Sequence, residues 1–336
     1  MATVNPKVSI LVPIYNVENY IERCAVSLFE QTYSNVEYVF VNDCTPDHSI
    51  DVLNRVISRY SRRAGEINII SHDMNRGLAA SRNTALDNCT GDFVLCVDSD
   101  DYIEPNTVEL LVNQQLCTNS DIVSGMALKH TNDGETLMHH PHYKTKEEMV
   151  IDMMQPTINH TIWRRLIRKS LFDDYHVRAK EGVNCGEDCW TMTQLAYFAS
   201  SFSFVDEVVY HYDCTREGSY MANSGKQINR KKVKDDVATA DLIIDFFKDK
   251  EEVYFEEANR MATKYYVLVL GNAALAGESE IYDEMLKRLN GVDEKYWGDI
   301  GWDKRYKRFV SKNRCLLKTK LSILRTYYKL LSFKAR

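Results

Sequence analysis

The chain has 336 residues, 44% hydrophobic and 27% charged, which suits a folded protein with a sizeable core and excludes a disordered one. Its net charge of −6 hides an asymmetry: residues 304–336 hold 12 Lys or Arg and no Asp or Glu, so the rest of the chain carries −18. Residues 1–5 have no basic n-region and runs such as 8–15 are too short to cross a bilayer, so neither a signal peptide nor a membrane span is expected, and nine scattered cysteines suit reduced thiols in a cytoplasm.

Residues 7–14 are expected to form a strand and 17–31 a helix, with Ile21, Ala25 and Leu28 on one face. A strand over 36–41 and a helix over 49–62 follow, the helix with Ile50, Leu53, Ile57 and Tyr60 facing inward. Residues 67–71, 93–97 and 121–125 read as further strands, and 78–88 and 105–117 as helices. This alternation predicts an α/β fold, a mixed and mostly parallel sheet flanked by helices. In such sheets ligands bind beyond the carboxyl ends of the strands. The polar stretches PIYN, VNDCTPD and DSDD all fall at such ends, so they are expected to form one site. Past residue 126 the rhythm breaks; HTNDGET reads as a hairpin turn and TIWRRLIRKSLF as an amphipathic strand-to-helix piece. From residue 229 onward helices are expected, with Val237, Leu242, Ile243, Phe246 and Phe247 among their apolar positions.

The stretch FVLCVDSDDYIEP puts Asp98, Asp100 and Asp101 directly after a buried strand. Carboxylates this close repel one another unless something positive sits among them. Asp98 and Asp100 can both reach one hard divalent cation; the alternative is a solvated loop whose last Asp caps the next helix. Tyr15 offers a ring that stacks on a base, or is a rim aromatic. Asp43 accepts a hydrogen bond from a base, or shares a turn with Thr45 and Asp47 ahead of Ser49. Gly77 allows a tight approach at a helix start that favours an anion, and Arg82, one turn further on, faces either the strand ends or solvent. Glu187 and Asp188 open a helix, where acids suit the macrodipole and where one of them is also placed to serve as a base. The histidines at 139, 140 and 142 have no partner at metal-ligand spacing and read as surface, and Cys185 and Cys189 lack a second pair for zinc.

The ordered set P-x-Y-N, E-x-Y, Q-T-Y, N-D-C-T-P-D-x-S, N-x-G-x-x-x-S-R-N and D-S-D-D resembles family 2 glycosyltransferases over residues 8–212. The resemblance implies the GT-A fold, a Rossmann-like mixed sheet, and transfer from a nucleotide sugar. It implies that Pro13, Tyr15 and Asp43 frame the base, usually uracil. By the same resemblance Arg82 contacts the nucleotide, and Asp98 and Asp100 meet the ribose and the Mn²⁺ or Mg²⁺ that carries the diphosphate. NCGEDCWTM resembles the family's E-D-x-x-[FW] segment, which makes Asp188 the base and leaves Glu187 to orient the acceptor. Two departures stand out. The usual Asp-Asp-Gly-Ser reads Asn42-Asp43-Cys44-Thr45, and DSDD leaves the ligand register open among Asp98, Asp100 and Asp101. Trp163 either stacks on an acceptor sugar or belongs to the core. In YHYDCTREGSYM, Arg216 or Ser219 is placed to touch the diphosphate, and His211 is a third metal ligand or a plain strand residue.

The expectation is therefore an inverting, metal-dependent glycosyltransferase using a UDP-linked sugar and a glycan or lipid-linked acceptor in cell-surface polysaccharide assembly. A non-catalytic nucleotide-sugar-binding or scaffold protein of the same fold is the rival. The organisation expected is a GT-A domain over 1–225, with a nucleotide-binding half (1–125) and an acceptor half (126–225). A helical extension over 226–303 and a basic amphipathic tail over 304–336 would follow. The tail's Leu317, Leu321, Leu324, Tyr328 and Leu331 share a helical stripe among basic residues, which suits the anionic inner membrane face of a cytoplasmic protein. No nucleic-acid recognition motif accompanies the charge.

Overall fold

The structure, a computed structural model, describes residues 5–155, 158–215, 229–293 and 295–296. The chain separates into two compact units, residues 1–219 and 220–336.

The first unit opens as the alternation predicts: β1 (Val8–Ile14), α1 (Ile21–Phe29), β2 (Val36–Asn42), α2 (Ser49–Arg59), β3 (Ile67–Ser71), α3 (Leu78–Asp87) and β4 (Phe93–Cys96). Every residue of β1 is buried, because it lies between β2 and β4 and is covered on its faces. Strands β1 to β4 pair in parallel in the order β3-β2-β1-β4. The face of α1 is as expected, with Ile21, Ala25 and Leu28 joined by Cys24 and Phe29. That of α2 is turned: Val52, Leu53 and Val56 are fully buried, while Ile50, Ile57 and Tyr60 pack against the core edge. Two overlapping stripes fit the α2 sequence, and only docking selects between them.

Beyond β4 come β5 (Tyr102–Ile103), α4 (Thr107–Thr118), β6 (Ile122–Thr131), β7 (Gly134–Met138), α5 (Lys146–Met154), β8 (Arg165–Arg168), α6 (Lys169–Asp174), α7 (Glu187–Phe198) and β9 (Phe202–Asp213). The expected hairpin is β6–β7, with Gly134 at φ 126°. The further strand expected over 121–125, β6, does not adjoin β4. Instead β8, arriving late in sequence, inserts antiparallel between β4 and β6, and β6 pairs in parallel with β9. The sheet is therefore mixed, with parallel pairing among β1–β4 and again between β6 and β9. The piece read as amphipathic around β8 is not so: Arg164 and Arg165 are both essentially fully buried, and the Arg165 guanidinium donates to the carbonyls of Thr161 and Asn159.

The second unit holds α8 (Arg230–Phe247), α9 (Glu252–Ala276) and α10 (Ser279–Gly291), with α9 packed against both neighbours. Val237, Ile243 and Phe247 of α8 and Ile281, Tyr282, Met285 and Leu289 of α10 are buried. Among the described residues no helix is long and apolar enough to cross a membrane. Arg216, Ser219 and the basic segment 304–336 lie outside the described residues.

Candidate active site

The polar ends of β1, β2 and β4 do converge. Asp43 donates its backbone N–H to the Ile14 carbonyl at 3.0 Å, and Thr45 Oγ1 accepts from the Asn16 N–H at 2.8 Å. Tyr15 stands beside them, 46% exposed, with its ring available to a flat ligand, while Pro13 is buried in β1. Cys44 occupies the place of the usual glycine and has φ 54°, a left-handed conformation that glycine adopts without strain.

The anion expected at the start of α3 is the protein's own. Asp43 Oδ1 accepts from the Arg76 N–H at 2.8 Å, Oδ2 from the Gly77 N–H at 2.7 Å, and His72 Nδ1 lies 2.7 Å from Oδ1. His72 Nε2 in turn meets Thr84 Oγ1 at 2.9 Å, so the carboxylate is fastened to α3 at two points. Asn184 closes the other side of this helix start; a Cβ on Gly77 would meet its amide at 2.5 Å. His72 carried no motif signal, because its partners lie 29 and 12 residues away.

The positive group among the strand-end carboxylates is Arg82. The small residues Ala79, Ala80, Ser81 and Ala85 let α3 lie close to the sheet, and this turns Arg82 inward to 7% exposure. Its Nη2 donates to Asp98 Oδ1 at 2.9 Å. Its Nη1 donates to Glu187 Oε1 at 2.8 Å and to Asp188 Oδ1 at 2.5 Å. Glu187 and Asp188 form the first turn of α7, which starts from Gly186 at φ 93°. Asp188 Oδ2 also accepts from the Ile162 N–H at 3.3 Å. Trp190 follows Asp188 by two residues, one fewer than in the E-D-x-x-[FW] pattern, so the resemblance here rests on the Glu-Asp pair.

One guanidinium does not balance these acids. Burial pushes the Asp98 carboxyl up, Arg82 pulls it back, and Asp188 and Asp100 add to the rise. Glu187 is raised to about 8 by burial and by Asp188, against the pull of Arg82. Asp101 is raised well above the usual carboxylate range by burial, then by Asp100 and Asp98.

The fold also narrows the register of DSDD. Asp101 is 1% exposed and is taken up by the protein: Tyr210 donates its hydroxyl to Oδ2 at 2.7 Å, and the Asp213 N–H reaches Oδ1 at 2.8 Å. The same Tyr210 oxygen accepts from the Asp98 N–H at 3.1 Å. Asp98 keeps a quarter of its side-chain surface open and Asp100 is also partly exposed. Two partly open carboxylates with an excess of negative charge around them fit a hard divalent cation held by oxygen. Arg23 lies at the rim, donating to the Asp100 carbonyl at 2.9 Å and to Asp213 at 2.7 Å.

The structure decides between the alternatives left open for Trp163 and His211 and corrects the reading of His140. Trp163 is only 3% exposed and stacks on Tyr210, with centroids 4.5 Å apart at 19°, so it is a core ring behind the loop and offers no stacking surface. His211 does not point at the carboxylates; its Nε2 meets Glu104 at 2.7 Å and its Nδ1 meets His130 at 2.9 Å. His140, read as surface, is buried. A cavity of about 640 Å³ lies at the opposite ends of the strands, lined by Pro6, Asp92, Asp121, Arg168 and Asp173, away from this chemistry.

Residues 9–178 match the family model described as glycosyl transferase family 2. An uncharacterized glycosyltransferase, EpsJ, of Bacillus subtilis is 31% identical over 215 residues, 62% of this chain and 61% of that one. The poly(ribitol-phosphate) beta-glucosyltransferase of Bacillus spizizenii is 30% identical over 221 residues, 64% of this chain and 33% of that one. The chain thus spans about three-fifths of EpsJ and a third of the second relative. Residues 1–349 of S. aureus TarS, solved with UDP-GlcNAc, superpose with a TM-score of 0.66 at 20% identity, covering 86% of this chain and 82% of that one. A mannosyltransferase of Pyrobaculum calidifontis, solved with GDP-Man and Mn²⁺, gives 0.51 at 16% identity over 94% and 88%. These likenesses show the GT-A fold.

Proposed function

The chain belongs to glycosyl transferase family 2, and on that premise we propose that it transfers a sugar from a UDP-linked donor to a hydroxyl of a glycan or lipid-linked acceptor, with inversion, in cell-surface polysaccharide assembly. The observation that carries this reading is the bridge made by Arg82, which joins Asp98 at the end of β4 to Glu187 and Asp188 at the start of α7. Donor and acceptor chemistry then meet at one side chain.

Tyr15 stacks on the base at the rim, and Pro13 and Asp43 hold the shape of the loops around it. Asp98 and Asp100 would hold Mn²⁺ or Mg²⁺, which when bound supplies positive charge to the departing diphosphate. Arg82 adds a fixed cation at the same end and holds Asp188 Oδ1 in place. Asp188 takes the proton of the acceptor hydroxyl as that oxygen bonds to the anomeric carbon. The bond from this carbon to the diphosphate oxygen breaks, and the nucleoside diphosphate leaves with the electron pair. Attack from the face opposite the leaving group inverts the centre and needs one base only. Glu187, protonated when burial raises it, is left to donate a hydrogen bond that orients the acceptor. Arg216 contacts the diphosphate in this reading, and residues 304–336 bring the protein to a lipid-linked acceptor at the inner membrane face.

The relatives support the assignment of pathway class, since one of them is named for transfer to poly(ribitol phosphate). The donor assignment draws on the UDP-GlcNAc in the TarS structure and the family's usual base. Calorimetric titration with UDP, GDP and CDP, with and without Mn²⁺, tests the donor end. Metal-dependent binding of UDP alone is expected; if no nucleotide binds, a non-catalytic scaffold of the same fold replaces this reading. At the acceptor end, Asp188→Asn should lower transfer by about 10²–10⁴ while nucleotide binding persists. Full activity in that variant removes Asp188 from the mechanism.

A further inference from the structure

The segment after β7 carries histidines that the transfer reaction does not use. His140 Nε2 lies 3.5 Å from Asp206 Oδ1 on β9, and His142 Nε2 lies 3.6 Å from the same oxygen. The three ligand atoms all fall within 4.8 Å of one another. Around a tetrahedral zinc with bonds near 2.0–2.1 Å, neighbouring ligand atoms are about 3.3 Å apart. Two edges of that tetrahedron are therefore nearly in place. The third closes by rotation of His142, whose side chain is 70% exposed and free to turn.

The burial of His140 is a second, independent observation. Its side chain is 2% exposed, and Nε2, the nitrogen turned to Asp206, faces the Val205 carbonyl at 3.1 Å and the Asp206 carboxylate. A metal at Nε2 would take the place of its contact with the Val205 carbonyl. The ring is nevertheless held firmly, stacked on Phe204 with centroids 4.4 Å apart at 17°, while His142 meets the same phenyl ring edge-on at 5.4 Å.

We propose that His140, His142 and Asp206 form a zinc site that ties the segment between β7 and α5 to β9. Two imidazoles and one carboxylate select an ion of this type over Mg²⁺. The exposed side chains of His142 and Asp206 leave the fourth position to water. The site is separate from the carboxylate loop: Asp206 lies seven residues before Asp213, roughly 20 Å along the strand at about 3.3 Å per residue. It is therefore independent of the transferase reading.

The test uses the full chain, stripped with chelator and titrated with Zn²⁺ by calorimetry and with Co²⁺ by visible absorption. The expected result is one zinc per chain and a tetrahedral cobalt spectrum. His142→Ala and Asp206→Asn should each weaken zinc by more than about 100-fold, beyond the 10–100-fold typical of losing an outer-shell partner. Because His142 is exposed, that variant keeps the fold, which circular dichroism checks, and zinc should raise the melting temperature of the wild type but not of the variant. Asp100→Asn should bind zinc as the wild type does. No zinc uptake, uptake unchanged by His142→Ala, or uptake lost only in Asp100→Asn would each overturn the proposal.

Discussion

Arg82 serves three carboxylates at once, and the consequence is clearest at Glu187. This side chain is 8% exposed and its pKa is raised to about 8, chiefly by burial and then by Asp188. Below the ordinary carboxylate range both folded and unfolded chains hold the proton. Between that range and the raised value only the folded chain holds it, so the folded state binds more protons and stability falls as pH rises. Above it both states are ionised and the slope vanishes. Glu187→Gln has no proton to lose. The variant should therefore gain on the wild type between pH 5 and 8, by at most about 1.4 kcal/mol per unit, when the two are melted side by side. Parallel melting curves across that range would mean that Glu187 titrates normally. The Glu-Asp pair itself was legible in NCGEDCWTM, but its bond to Arg82 was not, because the two residues are 105 positions apart.

At the scale of elements, the later part of the first unit depends on a close crossing of β6 and β9. The pairing of these strands shifts register between Ser124 and Met126, at Gly125. A Cβ there would meet Val209 Cγ2 at 2.4 Å and Cγ1 at 2.8 Å, both atoms of a fully buried side chain with no room to move. Gly125→Ala should therefore cost about 1–3 kcal/mol in urea unfolding. Val209→Ala removes both methyls, so the double variant should lose much less than the sum of the single ones. If the losses add to within about 0.5 kcal/mol, the steric account is wrong. The strands and helices of 7–125 could be read from period and turn residues because each signal sits within about ten residues. The placement of β8 could not: Leu166 and Ile167 look like any buried strand, and their pairing with both β4 and β6 is decided by partners far off in sequence.

Across the whole molecule the charge is unevenly spread, +12 in residues 304–336 against −18 in the rest. Basic residues near an anionic surface contribute about 1 kcal/mol each and lose it within a Debye length. The full chain should pellet with vesicles that contain acidic phospholipid at low salt and be released at high salt. A chain lacking 304–336 should stay in solution. Equal binding to neutral vesicles, or binding that survives the deletion, would take the tail out of the membrane reading. The family, the alternating architecture and the polar strand ends were determined by the sequence itself, since hydrophobic period, turn residues and short motifs are local properties of a chain. The tertiary structure alone decided that Asp101 turns inward to Tyr210, that Trp163 is a core ring, that Arg82 bridges the acid after β4 to the acids that open α7, and that His140 meets Asp206. Each of these is a contact between residues tens of positions apart, set by how the late strands insert into the sheet, and no window along the sequence contains both partners.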